Sequence, residues 1–257
     1  MPRFRPLTLL ATLLALLLSG CGMLEEDRFP PFRYRMTVEV ETPQGLRTGS
    51  AVREVDLTPA EWTLPDSGVV SLRVRGEAVA IDLPGGRTLY ALLRSPDSVD
   101  YASHIALDTL LPVEPGARLG FSSGNRYDPI APEFAAAFAK MLTSQEVREV
   151  PRESADRWTG GPPDGWPLLV TFRDPADPAS VERVDPDDPA AQLGEGVRIR
   201  RITLAITDDP VTTAIAPRLV TQGLSKGNSL DADFEATSNP TLAQTIGWQD
   251  FVRDIER

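Results

Sequence analysis

The sequence predicts an α+β protein built mainly on antiparallel sheet, with a few helices packed against it. Three observations carry this. Residues 32–41 and several later segments alternate apolar and polar side chains with period two. The connections between the first of these segments are too short for the crossover helices that parallel strands need. Two segments further on read as helices instead: 98–111, between a capping Ser98 and Pro112, and 131–143, with apolar residues on one side.

The elements follow in order. Phe32, Tyr34, Met36, Val38 and Val40 share one face of the first strand, and Arg33, Arg35, Thr37, Glu39 and Glu41 share the other. Thr42-Pro43-Gln44-Gly45 is a turn signal. Leu46 to Leu57 resumes as a strand whose apolar phase changes between Val52 and Val55, so a bulge near Gly49 is expected. Val69–Val74 and Ala78–Leu83 read as a hairpin around Arg75-Gly76-Glu77, and Thr88–Leu93 as the next strand. Residues 32–94 are thus expected to form a five-stranded meander.

Ser98 is placed to cap a helix that runs to about Leu111 and stops at Pro112. Ala131–Thr143 is the second helix, with Phe134, Phe138, Met141 and Leu142 on one side. Residues 152–165 are polar and end in Gly160-Gly161-Pro162-Pro163, a candidate sub-boundary. Trp166–Phe172 and Val197–Thr207 are further strands, the second with a phase slip at Arg200-Arg201 that predicts a bulge. Two strands make no stable sheet alone, so both are expected to join the first sheet or pair over the same core. From Asn239 a short helical tail should dock Trp248 and Phe251. Residues 32–257 are read as a single α+β domain.

The N-terminus has Arg3 and Arg5, an apolar run from Leu7 to Leu18, then Ser19-Gly20-Cys21. The run falls short of the ~20 residues that span a bilayer as a helix. It has the n-region, h-region and small-residue site of a signal peptide. Leu18-Ser19-Gly20-Cys21 resembles the lipobox of bacterial lipoproteins. The resemblance implies removal of residues 1–20, lipidation of Cys21 and acylation of its new amine. Gly22, which is not Asp, implies outer-membrane sorting, facing the periplasm. Residues 21–31 would be a tether. Each CH₂ of an acyl chain adds ~0.8 kcal/mol to membrane binding. Cys21 is the one cysteine, so lipidation would leave no thiol for a disulfide or a cysteine-bound metal.

The blocks 35–50, 169–185 and 201–208, beginning Arg35-Met36-Thr37-Val38, Leu169-Val170-Thr171-Phe172 and Arg201-Ile202-Thr203-Leu204, resemble a family of uncharacterised proteobacterial proteins. That resemblance implies no activity or site residue.

The net charge is −11. Nucleic acid would be repelled and is not an expected partner. Gly120-Phe121-Ser122-Ser123-Gly124 matches the nucleophile-elbow pattern, but Asn125–Pro129 blocks a following helix and the one histidine precedes the serine, so a plain turn is expected. His104 has Asp100 and Asp108 four residues away on either side, one helical face. His104 and Asp108 are therefore the catalytic candidates, and with Asp100 a metal-binding one. Asp174, Asp177, Glu182, Asp185, Asp187 and Asp188 are clustered on turn-rich chain, the residue type calcium takes, though without EF-hand spacing. Asp231, Asp233 and Glu235 raise the same idea. Asp-Pro pairs also form ordinary turns. No cofactor is expected, with Ca²⁺ the alternative.

The reading is a non-enzymatic, membrane-anchored envelope lipoprotein with a binding or assembly-support role. Its partners would be the membrane, through the lipid anchor, and an envelope protein or glycan. The alternative is a carboxylate-based hydrolase acting on envelope glycan.

Overall fold

Ten strands and six short helices lie among the described residues. The computed structural model describes residues 29–59, 70–111, 132–152, 165–221, 223–224, 226 and 241–253. Residues Pro31–Arg257 form one unit and Met1–Pro30 another. Cys21, Ser122, Asp231, Asp233 and Glu235 lie outside the described residues.

The fold is α+β and its sheets are antiparallel. Strands β1 (Phe32–Thr42), β2 (Gly45–Pro59), β3 (Val70–Glu77), β6 (Arg148–Glu149), β9 (Arg198–Ile206) and β10 (Val252–Arg253) form one sheet in the order β10-β3-β2-β1-β9-β6. Strands β4 (Val79–Asp82), β5 (Thr88–Ala91), β7 (Leu169–Phe172) and β8 (Val181–Arg183) form a second, in the order β4-β5-β7-β8.

The period-two phase of β1 holds: Phe32, Tyr34, Met36, Val38 and Val40 are buried, and the intervening residues are half-buried or exposed. The predicted bulge in β2 is absent. β2 pairs with β1 in one register from Thr42↔Gly45 to Phe32↔Val55. The phase slip has another cause. Arg53 takes a core-facing position opposite Tyr34, while Val52 on the other face is also covered. The bulge expected at Arg200-Arg201 is present, as a register shift of β9 against Glu39 and Val40.

The predicted five-stranded meander stops after three strands. β3 and β4 do not form a hairpin; the chain changes sheet between them. Gly76, at the change of sheet, has a positive φ of 139°. A Cβ on Gly76 would lie 3.0 Å from Arg53 Cγ, so this glycine also lets the chain pass close to β2. Ala78 N–H then donates to Phe251 O, and β4 pairs with β5. β9 joins the first sheet as expected, whereas β7 joins the second.

The second sheet packs against the first where β4 meets β2. A Cβ on Gly49 would stand 2.5 Å from Ala80 O and 2.7 Å from Ile81 Cγ1, so only glycine allows this approach. Helix α1 (Tyr101–Leu110) sits against Tyr34, whose hydroxyl donates to Ala102 O at 2.7 Å. Its start differs from expectation: Ser98 Oγ accepts from Asp100 N–H in a turn, and Asp100 precedes the helix without a side-chain cap. Helix α2 (Pro132–Leu142) puts Phe138 edge-on to Phe32, ring centroids 5.6 Å apart.

A second apolar cluster includes Tyr90, Val170 and Phe172 of the second sheet. Helices α4 (Ala216–Thr221), α5 (Leu242–Thr245) and α6 (Trp248–Phe251) contribute Leu219, Ala243 and Phe251 to it. Phe251 docks edge-on to Tyr90 at 5.5 Å and stacks on Phe172 at 6.0 Å, contacts worth ~0.5–1.5 kcal/mol each beyond the area they bury. Helix α3 (Ala190–Leu193) lies before β9. No helix among the described residues is long and apolar enough to cross a membrane.

Candidate functional site

The sequence candidates separate in space. Among the described residues, no three His, Cys, Asp or Glu side chains come together to hold a metal. His104 and Asp108 are half-buried on α1; Asp100 lies before that helix, its Oδ1 3.9 Å from Arg253 Nη1. Asp174, Asp177 and Asp185 serve their own turns. Asp174 Oδ1 accepts from Ala176 N–H, Asp177 Oδ1 from Ala179 N–H, and Asp185 Oδ1 from Asp187 N–H, each at 2.9 Å. Glu182 pairs with Arg173 at 2.8 Å, and Asp188 is exposed. These are local side-chain–backbone bonds, the ordinary use of Asp in turns.

A groove lies elsewhere, at one end of the second sheet, and of those candidates only Asp187 lines it. Antiparallel pairing brings three chain segments to that end: the turn after β5 (Ser95, Pro96, Asp97), the entry to β7 (Gly165 to Leu169) and the exit from β8 (Arg183, Val184, Pro186, Asp187). Main-chain bonds fix them together: Leu168 N–H donates to Arg94 O, Leu92 N–H to Leu168 O and Val184 N–H to Leu169 O. The cavity is about 220 Å³, smaller than the ~300–1,000 Å³ of pockets for drug-sized ligands.

Its floor is apolar, with Pro167, Leu168 and Val184 buried. Ser95 is buried too, and its Oγ accepts from Asp97 N–H and Ser98 N–H, which fixes the rim turn. Trp166 forms a wall. Its indole N–H donates to Val150 O at 3.0 Å, so the polar edge is satisfied and the ring held. The Arg152 guanidinium lies 5.3 Å from the Trp166 ring centroid and pairs with Asp187. Arg183 and Asp97 are exposed at the rim. Among the described residues no hydrogen bond or ion pair engages the Arg183 guanidinium.

Sequence reasoning missed Trp166, Arg152, Arg183 and Asp97. Trp166 was legible only as the start of an apolar strand. Nothing in spacing reveals a groove assembled from segments 95–97, 165–169 and 183–187.

Burial pushes the Asp250 carboxyl above its ordinary value; its Oδ2 accepts from Gly247 N–H at 2.8 Å. It belongs to the start of α6 and does not line the groove. The chain matches no family model, no curated protein and no solved structure.

Proposed function

We propose that the chain is a non-enzymatic envelope lipoprotein, anchored through Cys21 and facing the periplasm from the outer membrane, whose folded part binds a partner or glycan in this groove. The anchor rests on Leu18-Ser19-Gly20-Cys21. The binding role rests on one observation: the groove brings the Trp166 indole and the Arg183 guanidinium, which no other described group engages, to the lining of one small cavity. Glycoside hydrolysis uses two carboxyl groups flanking the scissile bond. Of the two carboxylates that line this groove, Asp187 is already paired with Arg152.

Labelling cells with a radioactive fatty acid tests the anchor. The wild-type chain should take up label and fractionate with the outer membrane, and Cys21→Ser should do neither. Equal labelling of both would overturn it. The hydrolase alternative, favoured only by Asp97 and Asp187 lining one groove, predicts release of reducing ends from purified envelope glycan. That release would have to disappear in Asp97→Asn or Asp187→Asn.

A further inference from the structure

The groove's charges select a ligand class. Arg152 and Asp187 neutralise each other, and Arg152 is also held on Trp166. That leaves the Arg183 guanidinium facing the groove with no partner among the described residues, and the exposed Asp97 carboxylate on the rim. One guanidinium fork suits one carboxylate, which it binds through two parallel N–H bonds. A carboxylate such as Asp97 only accepts hydrogen bonds, so it calls for a hydroxyl-bearing ligand. The part of the half-buried Trp166 indole that Arg152 leaves uncovered offers apolar surface to the C–H face of a ring, beside the buried Pro167, Leu168 and Val184. The cavity, at about 220 Å³, has room for one such ring.

A phosphate fits less well. It would bring up to two negative charges beside Asp97 and Asp187, in a chain already at −11. A neutral sugar would leave Arg183 unanswered. We infer that the groove binds a single sugar ring bearing one carboxylate, with Arg183 taking the carboxylate, Asp97 a hydroxyl and Trp166 the ring. This deepens the binding role proposed above and rests on that reading of the groove, but not on the lipid anchor.

The test uses the full chain in detergent micelles, ¹⁵N-labelled, with the Trp166 indole signal assigned by its loss in Trp166→Phe. Glucuronate, glucose, acetate and inorganic phosphate are titrated separately. Glucuronate should shift the Trp166 indole signal saturably, with glucose and acetate each at least about tenfold weaker and phosphate weaker still. Arg183→Gln should weaken glucuronate by about 10- to 100-fold, the worth of a charged hydrogen bond. Arg183→Lys, which keeps the charge and loses the fork, should fall between. Arg183 is exposed, so both variants should melt with the wild type. Glucose matching glucuronate, phosphate exceeding it, an Arg183→Gln variant that folds and binds like the wild type, or no response to glucuronate would each overturn the assignment. The same titration on Cys21→Ser separates the two readings: a response unchanged in the unlipidated chain supports the groove whatever the fate of the anchor.

Discussion

Glu39 on β1 and Arg201 on β9 face each other across the outer side of the six-stranded sheet, with Arg201 Nη2 donating to Glu39 Oε1 at 2.7 Å. The bulge in β9 brings Arg200 to the same carboxylate, its Nε 3.7 Å from Oε2. One glutamate is thus bracketed by two consecutive arginines, which regular alternation would send to opposite faces.

That arrangement has a pH signature. The hydrogen bond from Arg201, followed by the charges of Arg201 and Arg200, holds the Glu39 carboxyl below its ordinary value of 4.5 against the opposing effect of burial. A carboxyl lowered in the folded state adds stability above its unfolded pKa, and that contribution is lost as pH falls through the folded one. Glu39→Gln should therefore melt below wild type at pH 7, and the gap should close below about pH 4.5. Melting curves from pH 7 to pH 3 check this, and a gap constant with pH would refute it.

The strand phase of β1 makes a second prediction. Val38 is fully buried on the core face, and Thr37 on the other face lies between Ser50 and Thr203. Val38→Asp places a charge in the core without a partner and should cost on the order of 4 kcal/mol or more. Thr37→Asp should cost about 1 kcal/mol or less. Urea titration of both variants gives the comparison, and equal midpoints would show the phase to be wrong.

Where side-chain pattern alone decides the structure, the sequence was readable. The alternation of β1, the slip at Arg200-Arg201 and the apolar face of α2 with Phe134 and Phe138 are local signals, and each has its expected counterpart. The misreadings concern choices settled by distant chain. Arg53 imitates a bulge because it turns a guanidinium into the core, which residue type alone argues against. Whether Gly76 begins a hairpin or a change of sheet depends on Arg53 and Phe251, far away in sequence. Gly49 looked like a bulge site and is instead where β4 crosses β2. The groove was least legible, because Asp97, Trp166 and Arg183 meet only through the order β5-β7-β8.

Arg53 supplies a third prediction. It is fully buried, with Nε donating to Glu77 O at 3.0 Å and Nη1 to the Tyr34 hydroxyl at 3.4 Å. Its Nη2 has no hydrogen-bond partner, and no carboxylate pairs with it among the described residues. A charge buried on these terms costs much of what its bonds return, and apolar replacements of similar size are often neutral or stabilising. Arg53→Met should fall within about 2 kcal/mol of the wild type, the gain offsetting the orphaned Glu77 carbonyl. Arg53→Ala, which also opens a cavity, should lose at least about 3 kcal/mol. If chemical denaturation finds both variants equally damaged, the guanidinium bonds hold this part of the core and the desolvation argument fails.

Glu77 holds a different part of the chain. After β9, residues 207–215 run past β1 and β2: Thr207 N–H donates to Arg33 O, and Thr212 N–H to Val52 O. The run ends where Ala214 and Ile215 donate their N–H groups to the two oxygens of the buried Glu77 carboxylate, each at 2.9 Å. α4 begins at the next residue and carries Leu219 into the second cluster. Glu77→Gln keeps the shape but offers an NH₂ where one backbone N–H needs an acceptor, leaving a buried donor unsatisfied at a cost of about 1–3 kcal/mol. The loss should be local before it is global. Hydrogen exchange at the Ala214 and Ile215 amides should accelerate in Glu77→Gln by more than at Met36 or Leu204 in the sheet, because the run can detach while β1 and β9 stay paired. Uniform acceleration would mean that Glu77 supports the whole fold, and no change at 214 and 215 would mean that the carboxylate does not hold the run.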